Sequence, residues 1–134
     1  MGILWTVWPL DEKMCAWLDE TGVAYPDVAS RFPTGREIKE VVAGLVDFDV
    51  EITDNGLGAA WQAFVVSRAG GDTGPWTLLN VSEYSGDDQP QELWFEKGWE
   101  SLITSILAAL AVRAGPLVLI ADTGDDPVVI MGGL

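Results

Sequence analysis

Polar and apolar positions change rhythm several times along this chain, and each change marks an element. Ile3 to Trp8 reads as a strand, stopped by Pro9. Leu10, Met14, Trp17 and Leu18 then recur at the spacing of one helix face. Asp11 and Glu12 stand at the favourable, positive end of that helix, and Gly22 supplies its C-terminal stop. Tyr25 to Pro33 is a connector with two prolines. Thr34-Gly35-Arg36-Glu37 has the form of a capping box, and Ile38, Val41, Val42 and Leu45 form the apolar stripe of a second helix.

From Asp47 to Thr53 the period becomes two. Phe48, Val50 and Ile52 fall on one side, and Asp47, Asp49, Glu51 and Thr53 on the other. Asp54-Asn55-Gly56 signals a hairpin, with Trp61 to Arg68 as the return strand. Gly70 to Gly74 reads as a turn, Trp76 to Tyr84 as a strand, Ser85 to Pro90 as an acidic loop and Glu92 to Lys97 as another strand. Trp99 to Ala114 is helical and apolar around much of its circumference, with Leu102, Ile103, Ile106, Leu107, Leu110 and Val112, which predicts a central core helix ended by Gly115-Pro116. Leu117 to Ala121 and Pro127 to Met131 read as two final strands. The order β-α-α-β-β-β-β-α-β-β predicts an α+β domain with a mostly antiparallel sheet. No long linker or internal repeat divides the chain, so 1–134 is read as a single globular domain.

Composition narrows the function. The chain carries 21 acidic residues against 7 basic ones, for a formal net charge of -14, with no histidine, seven tryptophans and 49% hydrophobic residues. So apolar a chain is not a disordered acidic tail. Its charge repels phosphate backbones and anionic membranes, which argues against direct nucleic-acid or membrane binding. The run Leu102 to Ile120 is long enough to query as a membrane span, but Arg113 and Gly115-Pro116 split it. Met1 to Leu10 has no secretory pattern, and although Met1-Gly2 with Thr6 fits the loose myristoylation pattern, the segment is read as a buried strand. Cys15, the sole cysteine, reads as a small buried hydrophobe and excludes an internal disulfide. A cytoplasmic protein is expected.

Candidate chemistry is sparse. Triads and metal sites that need histidine are excluded. No Gly-rich phosphate loop and no Gly-x-Ser-x-Gly elbow occur. Asp122-Thr123-Gly124 resembles the signature of aspartic proteases, whose paired aspartates share a proton. One copy would require a homodimer, and too little chain follows it; a tight turn is the better reading. The acids of Asp47 to Glu51 are spaced as in a calcium loop, but Ile52 and Gly58 stand where that loop needs Gly and Glu. With so many acids, a pair suited to glycoside hydrolysis carries no weight. Neither a cofactor nor a metal is expected, nor is an enzyme.

What remains is surface. Asp47, Asp49 and Glu51 make a ladder of like charge about 7 Å apart. Glu92 and Glu96 flank Trp94, which is exposed if Leu93 and Phe95 face the core, and Trp with a charged surround is a typical interface anchor. The loop acids Asp72, Asp87, Asp88, Asp125 and Asp126 strengthen the field, and Asp54, Asp87 and Asp88 join the ladder, Glu92, Trp94 and Glu96 as partner-binding candidates. Trp17, Trp61 and Trp99 are expected in the core.

The segment Phe95-Glu96-Lys97-Gly98-Trp99-Glu100, the apolar helix after it and Gly115-Pro116-Leu117-Val118-Leu119-Ile120-Ala121-Asp122-Thr123-Gly124 resemble segments of small bacterial immunity proteins, as does the short, acidic α+β plan. The resemblance implies a protein that neutralises a toxin delivered by a neighbouring cell. An acidic inhibitor steers rapidly to a basic toxin, so the partner implied is a cognate, basic protein toxin. Two alternatives stay open: an effector or secretion chaperone holding an apolar segment, and a small-ligand domain or carboxylate-based enzyme. Self-association is open as well.

Overall fold

The computed structural model describes residues 3–68 and 74–132. In chain order the elements are β1 (Leu4–Pro9), α1 (Glu12–Thr21), α2 (Gly35–Ala43), β2 (Phe48–Asp54), β3 (Trp61–Ser67), β4 (Trp76–Val81), β5 (Leu93–Gly98), α3 (Glu100–Ala114), β6 (Leu117–Ala121) and β7 (Val128–Ile130). This is the α+β order expected from the pattern. The turn expected over Gly70 to Thr73 and the Met1-Gly2 pair lie outside the described residues.

All seven strands form one sheet, in the order β2-β3-β4-β5-β1-β6-β7, and every neighbouring pair is antiparallel. Strands β2 to β5 follow one another as a meander. Strand β1 is inserted between β5 and β6, so those two run parallel to each other, and α3 supplies the long connection that parallel strands require.

Alternation assigns the faces. Trp5, Val7, Trp61, Ala63, Val65, Leu79, Leu93, Phe95, Leu117 and Leu119 point to the inner face and are buried. Helices α2 and α3 cover that face with Ile38, Val42, Ile103, Ile106, Leu107 and Leu110. Each such aliphatic side chain contributes roughly 1.5–3 kcal/mol of burial. On β6 the intervening Val118 and Ile120 point outward, where Leu10, Leu18 and Met14 of the α1 segment meet them. Strand β6 is thus covered on both faces, which explains its unbroken apolar run.

The helix ends behave as their residues dictate. Asp11 caps α1 by accepting from the Met14 N–H at 2.8 Å, and Gly22 closes it with φ 77°. The capping box of α2 is complete: Thr34 Oγ1 accepts from the Glu37 N–H at 3.3 Å, and Glu37 accepts from the Thr34 N–H at 2.9 Å.

Glu37 also accepts two bonds from the Arg31 guanidinium, at 2.6 and 2.9 Å. Arg31 and the cap N–H hold its carboxyl down at about 2, against an ordinary 4.5. Because the folded-state value is the lower one, this clamp stabilises the fold fully above about pH 5 and is lost as pH falls from about 4.5 to 2. Glu37→Gln is expected to cost on the order of 1–2 kcal/mol at neutral pH, after allowing for solvent screening. In urea titrations the gap between wild type and variant should close through that acid window; a gap independent of pH would contradict the clamp.

Several positions depart from expectation. Trp61 is buried, but Trp17 and Trp99 are 37% and 46% exposed. Trp17 lies at the margin of α1, which meets the sheet through Leu18; Trp99 is the N-cap residue of α3 rather than its first helical turn. Val112 faces solvent at 64%, and Cys15 is only half-buried. Asp47 precedes β2 with φ 67°, and its carbonyl accepts from the Arg68 N–H, so it leaves the alternating ladder. Strand β5 starts at Leu93, so Glu92 lies just before it, and β7 is shorter than the pattern implied.

Candidate binding face

On the outer face, the helix α1 packs against β6 and β7, while among the described residues no helix packs on the outward side chains of β2 to β5. Register places these side chains in rows across the sheet. One row runs Glu51, Phe64, Leu78, Glu96, Leu4; the next runs Thr53, Gln62, Asn80, Trp94, Thr6, Ile120; a third joins Asp49, Val66 and Trp76. With neighbouring strands about 4.8 Å apart, Glu51 and Glu96 frame an apolar centre roughly 14 Å wide.

That centre is aromatic. Phe64 is 40% exposed and lies against Trp76, with ring centroids 5.8 Å apart. Leu4, Trp8 and Trp17 are exposed large apolar side chains on the same side. Trp94 is half-buried, and its indole N–H donates to Ser82 Oγ at 3.1 Å. Trp8 donates its own to Thr6 Oγ1 at 3.0 Å. On β3 and β4, the Gln62 side-chain amide donates to Asn80 Oδ1 at 2.7 Å.

Three depressions lie around β1, the start of β5 and the connection from β4 to β5. The ladder between β1 and β5 runs only from Leu4 to Thr6, opposite Glu96 to Trp94. Where they part, a cleft of about 310 Å³ opens between Trp8 and Trp94, with Glu92 at its rim. A second, of about 460 Å³, lies between β1 and α1 and is lined by Trp8, Met14, Trp17 and Ile120. A third, also about 460 Å³, is polar, with Ser82, Glu83, Ser85 and Glu92. These volumes fall in the range of small-ligand and side-chain sites.

The candidate residues divide into two groups. Asp49, Glu51, Trp94 and Glu96 share the outer face, and Glu92 stands at its edge. Asp49 is paired with Arg68 at 2.8 Å, so the edge strand carries less net charge than its sequence suggests. The remaining acids are engaged elsewhere. Asp54 closes its own loop by accepting from the Gly56 N–H at 2.9 Å. Asp87 takes Lys39 at 2.8 Å and the Tyr84 hydroxyl, and Asp88 takes Arg36, so both tie the acidic loop to α2. Lys39, and then Tyr84, hold the Asp87 carboxyl below its ordinary range. Their field is therefore partly neutralised within the molecule.

Trp8, Phe64, Trp76 and Trp17 belong to this face and were not among the residues expected there. The signal was available in β1 and β3: Leu4, Trp8, Phe64 and Val66 are apolar on the side opposite an equally apolar inward set. A strand apolar on both sides is either sandwiched or presents a binding face.

Asp122-Thr123-Gly124 forms a turn between β6 and β7. Asp122 donates its N–H to the Leu4 carbonyl at 3.0 Å, Thr123 Oγ1 donates to Asp125 at 2.8 Å, and Gly124 has φ 85°. Among the described residues, no group of three or more Cys, Asp or Glu could hold a metal ion, and no helix is long and apolar enough to cross a membrane. No family model, curated protein or solved structure matches the chain.

Proposed function

We propose that the chain is a non-catalytic binding protein that covers a basic partner with its outer sheet face, as a cytoplasmic immunity protein covers a cognate bacterial toxin. One observation carries this reading: an open aromatic centre bordered by Asp49, Glu51, Glu92 and Glu96. Aromatic side chains with a polar, water-excluding rim are the usual anatomy of a protein interface. The net charge of -14 supports it, because it accelerates encounter with a basic surface, and the absence of histidine removes the commonest general base.

The experiment co-expresses the chain with the products of adjacent reading frames, reading growth rescue and surface binding. Raising salt from about 0.05 to 0.5 M is expected to slow association by roughly tenfold or more. Combining Asp49→Lys, Glu51→Lys and Glu96→Lys should slow it about as much, with little change in melting temperature. Absence of binding, or full affinity in the triple variant, would overturn the proposal. The apolar cleft beside Met14 and Trp17 favours a second reading, a chaperone for an apolar segment. Tight binding indifferent to salt would select it.

A further inference from the structure

The three depressions adjoin one after another and are taken together as a trough. The middle cleft shares Thr6 and Trp8 with the cleft beside α1, and Ser82 and Glu92 with the polar one. The lining changes along its length. It is apolar at Met14 and Trp17, aromatic at Trp8 and Trp94, and acidic at Glu83 and Glu92.

The hydrogen bonding inside decides what fits. Both indole N–H groups of the middle section already donate within the molecule, to Thr6 and to Ser82. The Thr6 hydroxyl in turn donates to the Ile120 carbonyl at 3.4 Å. What the middle of the trough presents is therefore apolar and aromatic, with Trp8 and Trp94 beside Leu4, Phe32 and Leu93, and Glu92 supplies a carboxylate acceptor where it meets the polar end. Among the described residues, no lysine or arginine lines the middle or the polar section; Lys13 stands at the α1 end, beside Asp11. An electron-rich ring beside a carboxylate is complementary to a flat cation with several donors. Guanidinium meets both demands, stacking on indole while donating to an oxygen pair.

We propose that this trough takes an extended segment of the partner protein, with an apolar side chain against Met14 and Trp17. An arginine of that segment lies across the Trp8 and Trp94 indoles, with Glu92 as its counter-ion. The inference rests on the binding-protein reading and specifies what on the partner is gripped.

The test uses the full chain, labelled with 15N at tryptophan, and the heptapeptide acetyl-Gly-Leu-Ser-Gly-Ser-Arg-Gly-amide. The indole resonances of Trp8 and Trp94 are expected to move on titration, while those of the buried Trp5 and Trp61 stay. Exchanging the peptide arginine for glutamine should weaken binding about fivefold. In the Glu92→Gln protein, whose change is at an exposed position, that difference between the two peptides should shrink by at least half. Equal affinity for both peptides, no movement at millimolar peptide, or movement confined to Trp76 would overturn the proposal. If the whole partner binds in a salt-dependent way while the peptide leaves Trp8 and Trp94 unmoved, the trough is refuted and the function stands. If the peptide binds as expected and no toxin is bound, the reverse holds.

Discussion

A chain carrying Gly98→Ala is expected to lose about 3 kcal/mol or more of folding stability, a fall in melting temperature of roughly 10 °C. Between β4 and β5 the register jumps from Thr77 opposite Gly98 to Leu78 opposite Glu96, which leaves Lys97 as an extra residue at φ 59°. This is a β-bulge, and it turns the end of β5 toward α3. A Cβ on Gly98 would lie 2.4 Å from the Trp76 carbonyl oxygen and 2.6 Å from Thr77 Cβ, and φ at 107° disfavours any side chain. The obstacle is backbone on a central strand, so no side-chain rotation relieves it. The sheet must shift, and the Trp99 N–H bond to Trp76 that starts α3 shifts with it. Gly22→Ala is the control, since that position has positive φ but open space around it. It should cost only about 1 kcal/mol, the penalty of a left-handed backbone alone. Urea titrations giving equal losses at the two sites would remove the bulge from the account.

Trp8→Ala is expected to weaken partner binding by about 2–4 kcal/mol, roughly thirtyfold to a thousandfold. Trp8 lines both the middle cleft and the one beside α1, so its removal takes away a wall common to both. Its share in the fold is smaller, because the side chain is already 42% exposed and caps no core cluster. The loss should appear in the dissociation rate, whereas charge changes on β2 should appear in the association rate. Trp99→Ala separates the interface from tryptophan loss in general. Trp99 is as exposed but lines none of these depressions, and its removal should alter affinity less than about threefold. Equal effects at the two tryptophans, measured by calorimetry, would refute the interface.

Much of the architecture was legible because period reports facing directly. Phe48 and Val50 against Asp49 and Glu51, or Leu93 and Phe95 against Trp94 and Glu96, fix which side of each strand is inward. Capping residues such as Thr34 and Glu37 fix where a helix starts. Period does not report what lies over a face. Trp17 and Leu18 belong to the same apolar stripe, yet only Leu18 reaches the sheet, because α1 covers one end of it. The strand order was equally silent: nothing local in Leu4 to Pro9 says that it pairs with residues about ninety or more positions onward. The acids show the limit for the site. Asp87 and Asp88 are indistinguishable by composition from Glu92 and Glu96, and only the proximity of α2 engages them with Arg36 and Lys39. The trough was beyond the sequence for the same reason, since β1 and β5 line it from opposite ends of the chain.

The position of β1 has a consequence for how the protein comes into being. Its partners on either side are β5 and β6, which begin at Leu93 and Leu117. As the chain leaves the ribosome, the β2 to β5 meander can assemble from neighbours alone, but β1, made before it, must wait for β5 and then for β6. Until β5 has emerged, Trp5, Val7 and Trp8 have no sheet to join, and the other edge of β1 stays open until β6 follows; such long-range closure is intrinsically slow. A nascent segment carrying two tryptophans and several aliphatic residues is one that chaperones bind. The acidic helix start that follows it, Asp11 and Glu12, gives that segment a soluble neighbour during the wait.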